Sequence, residues 1–483
     1  MTIPVSAADW IVINTELILV GTAMIVLLLD AFNRRISDRI SPWITLVGVV
    51  GGLVSLGFLW GQEYTGFAGM LVIDSFSVLV KMAILFGTGL AVLLSVDYLR
   101  REELAQGEYY GLLLLSTVGM LLLTSSANLI MIFLSLEMLS IALYVLTGYA
   151  RMRPRSQEAG MKYFLLGSFS AAILVYGVAL IYGALGTVDL AGVAEALTAP
   201  GILSNPVLLA GAGLVLVGLG FKVAAVPFQM WTPDVYEGAP SPVTAFMSVS
   251  TKAAAFAALT RVLVFAFSDL SGVWMAVIWA IAALTMIFGN LVAIAQNNIK
   301  RMLAYSSIAH AGYILVAVAS ANQLGIQSIP FYLIAYTFMN IGAWAVVTVI
   351  TRKGEEGVGL SDYTGLFWRN PLLAVSMGLF MFSLAGIPPT AGFTAKIYLF
   401  MAAVNANLIG LLIVAVVTTI ISAYFYLRVT VIMFMHRPSE VSAVHVPIAA
   451  YVAIIIAVVA TLWLFLFPNS TQAFTEAVWR MGL

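Results

Sequence analysis

The chain has 483 residues, of which 62% are apolar and 9% charged, with 22 basic and 22 acidic side chains and a formal net charge of zero. A soluble exterior needs about a quarter of its residues charged, so this is the composition of a membrane protein. The balanced charge excludes nucleic-acid binding and a polybasic lipid-binding segment; zero cysteines exclude thiolate-held iron–sulfur clusters, disulfides and thiol nucleophiles; and three histidines, His310, His436 and His445, leave no multi-histidine metal or haem site.

Apolar runs of roughly 18 to 25 residues, the length that crosses a hydrocarbon core, predict fourteen spans. In chain order they are 10–31, 42–60, 72–95, 110–126, 128–148, 160–184, 206–228, 241–266, 272–296, 300–320, 328–351, 371–404, 408–434 and 446–468. The twelfth is too long for one straight helix. Its Gly386-Ile387-Pro388-Pro389 and Gly392 predict two half-helices around a break. No basic region or small-residue cleavage site accompanies the first span, so no cleavable leader is expected.

Loop charge predicts the orientation. Arg34, Arg35, Arg39, Arg100, Arg101, Arg151, Arg153, Arg155, Lys300, Arg301, Arg352, Lys353, Arg369 and Arg437 fall in one set of alternate loops, and the other set, with both termini, holds only Arg480. Basic loops stay on the cytoplasmic side, so both termini are expected outside.

Seven basic residues remain, all within apolar spans: Lys81, Lys162, Lys222, Lys252, Arg261, Lys396 and Arg428. A lysine at a helix centre costs about 2.5–3.5 kcal/mol to insert, so each needs an escape or a use. Lys162, Arg261 and Arg428 lie near span ends, where long side chains snorkel to the headgroups. Lys81, seven residues after Asp74, fits either a structural ion pair or a functional group. Lys222 precedes Pro227 in the seventh span, and Lys396 follows Pro388, Pro389 and Gly392 in the twelfth. Broken helices at membrane depth line cavities and carry the ion sites of transporters, which marks both lysines as functional.

Thr244, Ser248 and Lys252 follow at i, i+4 and i+8, which on a regular helix shares one face and suggests a wet stripe. The alternative is that the hydroxyls bond their own helix carbonyls. The only acid expected deep in a span is Glu137, on one face with Ser140 and Tyr144. That face must point into the bundle, toward a basic partner.

Asn128, Glu137, Tyr144, Val145 and Leu146 map onto Asn297, Ser306, Tyr313, Ile314 and Leu315 at a constant offset of 169, and Lys222 and Lys396 are 174 apart. The spacing predicts two five-helix units, 110–266 and 272–434, after a three-helix lead-in at 1–109 and before a last helix and tail at 446–483. Five is odd, so the second unit enters the membrane inverted, with broken helices 7 and 12 in equivalent places. The expected fold is an all-α polytopic membrane protein. In the second unit Ser306 takes the glutamate's place, and His310 is either a proton-exchanging group or a helix–helix hydrogen bond.

The stretch Phe221-Lys222 through Val226-Pro227-Phe228-Gln229-Met230-Trp231-Thr232-Pro233-Asp234-Val235-Tyr236-Glu237-Gly238-Ala239-Pro240 resembles the seventh-helix motif of the antiporter-like membrane subunits of respiratory complex I, NADH-quinone oxidoreductase. Leu136 to Ser140, Ile299 to Tyr313 and Phe382 to Phe393 carry the likeness along the chain, and Leu136-Glu137-Met138 is similar to the subunit N branch, whose sisters typically have Trp before the glutamate. The resemblance implies that Glu137 and Lys222 form the ion pair of a first half-channel, that Lys252 is the central connecting lysine, and that Lys396 serves a second half-channel. Ser306, His310, Tyr144, Thr244 and Ser248 are possible relays.

The expected function is proton translocation driven by redox chemistry in other subunits. No cofactor is expected on this chain; the partners are other membrane-arm subunits, including antiporter-like sisters, with the lipid bilayer and protons. A bacterial inner membrane is the expected location. Two other readings predict different behaviour: a subunit of a multisubunit Na⁺/H⁺ antiporter or membrane-bound hydrogenase, and a passive scaffold whose buried charges can be neutralised without loss of pumping.

Overall fold

The computed structural model describes residues 6–104, 107–437 and 444–467. Expectations that touch Arg480 and the tail beyond 467 lie outside the described residues. Within them, thirteen helices are long and apolar enough to cross a bilayer, from Asn14–Phe32 to Ile448–Leu466. The chain is a multi-pass membrane protein. The expected twelfth crossing is the pair Pro371–Ala385 and Ala391–Asn405, each 15 residues and too short to cross alone. The all-α reading omits one small feature, an antiparallel hairpin of Tyr64–Gly66 with Leu71–Ile73.

Burial sorts the spans into an inner and an outer set. The spans Ser241–Ala266, Ile299–Ser320 and Gln323–Ile350 are almost wholly buried, whereas the first, second and last two long helices bury less than half of their apolar stretches. The outward positions are large and apolar, among them Phe58, Phe169, Ile420 and Val459, as a lipid-facing surface requires. Small residues bring helices close: a Cβ on Gly177 would meet the Gly211 carbonyl at 2.8 Å.

The loops gather at two ends. At one, Asp30 accepts from the Gly107 amide at 3.0 Å, Arg153 pairs with Glu102, Lys353 with Glu103 at 2.5 Å, and Arg301 with Glu237 at 2.7 Å. At the other, Leu71 bridges Ser126, Asn128 bridges Asp189, and Asn322 donates to the Ala402 carbonyl at 2.9 Å. All the described loops of the basic set that make these contacts therefore share one end.

Two breaks and two wide turns shape the interior. The seventh span, Pro206–Val223, stops at Ala224 in the left-handed region, and after Pro227 the short helix Trp231–Gly238 begins. Pro371–Ala385 stops in the same way at left-handed Gly386, before Ala391–Asn405. The two lysines do not sit equivalently on these breaks: Lys222 lies two residues before Ala224, and Lys396 ten residues after Gly386. The eighth span is interrupted by π turns at Met247–Thr251 and Arg261–Ala266. A π turn widens the spiral, so the regular spacing of Thr244, Ser248 and Lys252 no longer aligns them on one face.

Candidate functional site

Six lysines and arginines are buried in the bundle, and their partners divide them. Lys81 Nζ meets Glu16 at 2.7 Å, Arg261 meets both oxygens of Asp74 at 2.8 and 2.9 Å, and Lys300 meets Glu355 at 3.1 Å. Lys222, Lys252 and Lys396 form no salt bridge among the described residues, although they are only 3%, 1% and 3% exposed.

The paired set corrects two expectations and decides a third. Arg261 does not snorkel: it is fully buried, donates to the Thr124 carbonyl and lies over Phe76, because Asp74 caps the neighbouring helix within its reach. Glu137 is not the sole acid deep in a span, since Glu16 in the first long helix is buried against Lys81. That pair gives Lys81 its structural role. Lys162 and Arg428 keep to the polar margin, Lys162 on Asp234 and Glu158 at 2.7 Å each, and Arg428 on Asn297 and the carbonyls that end the ninth span.

Lys222 sits in the last turn before the first break, which aims its side chain toward the fifth and sixth spans. Its ammonium donates to Ser140 Oγ at 2.8 Å and Tyr163 OH at 2.9 Å. The expected direct pair with Glu137 is not formed. Glu137 lies one turn before Ser140, half-buried, with Oε1 unpartnered, and its neighbours Leu134 and Ile141 are exposed. Ser140 in turn donates to the Leu136 carbonyl at 2.5 Å. Tyr144 packs edge-to-face on Tyr163 at 4.9 Å, and Trp231 stacks on Tyr163 from the other side at 4.8 Å.

Lys252 projects from the residue just past the π turn and donates to the Ser307 carbonyl on the tenth span. Thr244 and Ser248 donate to carbonyls of Tyr236 and Ala245, at 3.1 and 2.8 Å, and Ser248 also accepts from Asn340 at 2.7 Å. The hydroxyls here satisfy carbonyls, the alternative that the spacing left open.

Lys396 stands in the second half-helix of the second break. It donates to the Leu384 and Ala385 carbonyls at 3.2 and 3.0 Å, the free carbonyl end of the first half-helix, and its Nζ lies 4.6 Å from the centre of the Tyr313 ring. Glycine at 386 is required: φ is +82°, and a Cβ there would lie 2.8 Å from Lys396 Cδ.

Between Lys252 and Lys396 lies a cluster that sequence reasoning found only in part. His310 Nδ1 meets Tyr332 OH at 2.7 Å and Nε2 meets Tyr426 OH at 3.1 Å, while Tyr426 OH also meets Ser306. Tyr336 donates to Ser307 Oγ at 3.0 Å. His310 and Ser306 were visible from the repeat. Tyr163, Tyr332, Tyr336 and Tyr426 were not, since nothing in a tyrosine's sequence position separates a packing ring from a buried hydroxyl contact.

At the basic end, Glu355 is partly buried and accepts from Tyr98, Ser241 and Lys300. Burial opposes its charge, yet the Lys300 ammonium and the Tyr98 and Ser241 donors outweigh it and hold its pKa below the ordinary 4.5. Among the described residues no group of three or more His, Cys, Asp or Glu is placed to hold a metal ion.

Chemically, the interior is a row of amines held by neutral oxygens, interleaved with hydroxyls and an imidazole that both donate and accept protons. A helical bundle with broken helices and buried, unpaired lysines defines an antiporter-like membrane protein. The family model for NADH:quinone oxidoreductase/Mrp antiporter, TM, matches residues 126–422. The chain is 50% identical to NADH-quinone oxidoreductase subunit N of Trichlorobacter lovleyi over 89% of this chain and 88% of that one, and 44% identical to the Chloroflexus aggregans subunit N over 99% and 98%. Respiratory complex I from Thermus thermophilus contains a similar chain, with TM-score 0.82, 38% identity and coverage of 95% and 99%. A chain of the Mrp complex from a Dietzia species shares the fold, with TM-score 0.85 at 23% identity, over 96% of each chain. The chain belongs to the NADH:quinone oxidoreductase/Mrp antiporter family of membrane subunits.

Proposed function

We propose that this chain is a proton-translocating membrane subunit of an NADH-quinone oxidoreductase, with Lys222, Lys252 and Lys396 passing protons and His310, Ser306 and their tyrosine partners linking the last two. The observation that carries this reading is the division of the buried cations. An amine held by neutral oxygens can hand on its proton without breaking an ion pair, whereas Lys81, Arg261 and Lys300 each hold a carboxylate.

Moving one charge against 100 mV costs about 2.3 kcal/mol. That energy comes from redox chemistry in partner subunits. Glu137, half-buried with an unpartnered oxygen and exposed apolar neighbours, is the group best placed to feel a charge change in an adjoining membrane subunit. Its proximity to Ser140 passes that change to Lys222. Thr244, Ser248 and Tyr144 shape this path through packing and carbonyl contacts. We keep the two inverted five-span units, 110–266 and 272–434, as its frame, supported by a left-handed break in each.

The loop charges support a bacterial inner membrane with the basic loops in the cytoplasm. The absence of native cysteine makes single-cysteine labelling clean. Arg151→Cys should resist an impermeant reagent in intact cells and Glu195→Cys should react; the reverse pattern contradicts the orientation. The function is tested by Lys222→Ala and Glu137→Ala, each expected to lower proton uptake per NADH oxidised with the complex assembled. An unchanged ratio in both would make these groups structural.

A further inference from the structure

We propose that Tyr236 is the proton-carrying link between Lys222 and Lys252, a role that rests on the proton-translocating reading above. Tyr236 belongs to the short helix Trp231–Gly238 that follows the first break. Its side chain is fully buried, yet its hydroxyl has no hydrogen-bond partner, and the Thr232 hydroxyl one turn earlier on the same face is equally buried and equally unpartnered. Buried hydroxyls are ordinarily satisfied, by protein or by internal water, so two orphans on one face point to a polar seam that admits water.

The seam has an identifiable start and finish. On one side, Tyr236 packs edge-to-face on Trp231 at 6.0 Å, and Trp231 stacks on Tyr163, whose hydroxyl accepts from Lys222. The Trp231 indole N–H is committed to the Phe221 carbonyl at 3.0 Å, so the ring is fixed and carries no proton itself. On the other side, the Trp231–Gly238 helix packs against the tenth span, Ile299–Ser320, which carries Ser307. Tyr336 donates to Ser307 Oγ, and the Ser307 carbonyl holds Lys252. One turn from Tyr336, Asn340 donates to Ser248 while its own oxygen is buried and unpartnered, a third orphan in the same region of the bundle.

The step needs no reagent beyond a proton. A proton arriving from the Lys222 side binds a lone pair of the Tyr236 oxygen as the hydroxyl's own proton leaves toward Ser307 Oγ. One O–H bond forms, one breaks, and the ring is neutral before and after. The competing view is that Tyr236 merely fills space, and a phenylalanine would do that equally well.

Tyr236→Phe keeps the ring and removes only the oxygen. In the complete complex reconstituted in liposomes, proton uptake per NADH oxidised should fall by about half or more, the loss being partial because water can replace a hydroxyl. Subunit content should be unchanged, and the H₂O/D₂O ratio of the pumping rate should rise, a readout that packing alone does not move. Ser307→Ala, which leaves the carbonyl under Lys252 in place, should reproduce the loss, and the double variant should add little to it. If Lys222→Ala and Lys252→Met lower the ratio while Tyr236→Phe changes neither ratio nor isotope effect, the link is overturned and the proton-translocating reading stands. If the lysine variants also leave the ratio intact, that reading itself falls. Should Tyr236→Phe not assemble, Ser307→Ala decides: a loss supports the link and no change overturns it.

Discussion

Lys222 reaches Ser140, not Glu137: the ammonium donates to the serine hydroxyl at 2.8 Å, and the carboxylate lies one turn away with an oxygen unpartnered. Ser140 therefore holds the ammonium against the helix that carries Glu137. Ser140→Ala should lower proton uptake per NADH by less than Lys222→Ala, because Tyr163 still accepts from the ammonium at 2.9 Å. The cost in stability should be about 1.5–3 kcal/mol, the range for a hydrogen bond to a charged group. A pumping loss equal to that of Lys222→Ala would mean Ser140 does more than hold the lysine.

Asp74 and Arg261 should behave oppositely to the lysines. Removing one partner of a buried ion pair costs about 3–5 kcal/mol because it strands a charge. Asp74→Ala should therefore reduce the amount of assembled complex, measured by subunit content of purified membranes. The pair Asp74→Leu with Arg261→Met should recover much of it, and pumping per assembled complex should be normal.

Gly386 tests the second break. Alanine there adopts a positive φ at a cost of about 1–3 kcal/mol, and its Cβ would press on Lys396 Cδ from 2.8 Å. Gly386→Ala should lower pumping at once with a modest loss of assembly. The comparison is Gly201→Ala, also at positive φ but with open space around it, which should cost stability alone.

Glu355 gives a pH dependence with a defined sign. Its folded pKa is depressed below the unfolded value near 4.5, so its ionised form contributes stability that is complete above that value and is lost as pH falls through the lower folded pKa. Glu355→Gln should lower the melting temperature at pH 7, and the gap to wild type should narrow as the pH approaches 4. A gap that does not change with pH would show that the charge of Glu355 is not what ties the loop down.

The sequence made some of this plain and hid the rest for physical reasons. Spans, breaks and the presence of lysines within spans follow from hydropathy, proline and the insertion cost of charge, all local quantities. Pairing is not local. Glu16 and Lys81 are far apart in sequence, as are Asp74 and Arg261, so nothing in either neighbourhood distinguished a neutralised cation from a free one. The π turn at Met247–Thr251 was equally hidden, because it contains no Gly or Pro to mark it, and it removed the alignment that periodicity gave Thr244, Ser248 and Lys252. The placement of Lys222 before its break and Lys396 after its own was, by contrast, already legible from the prolines beside them.

The most direct test is at Lys252, where relay and packing predict different outcomes for one substitution. Lys252→Met keeps length and apolarity and removes a charge whose insertion costs about 2.5–3.5 kcal/mol. If the lysine only filled space between the eighth and tenth spans, the change would be neutral or stabilising. Proton uptake per NADH oxidised should be measured in proteoliposomes, with subunit content checked on the same sample. A fall in that ratio with full assembly is the predicted result; a wild-type ratio would contradict a proton path through Lys252.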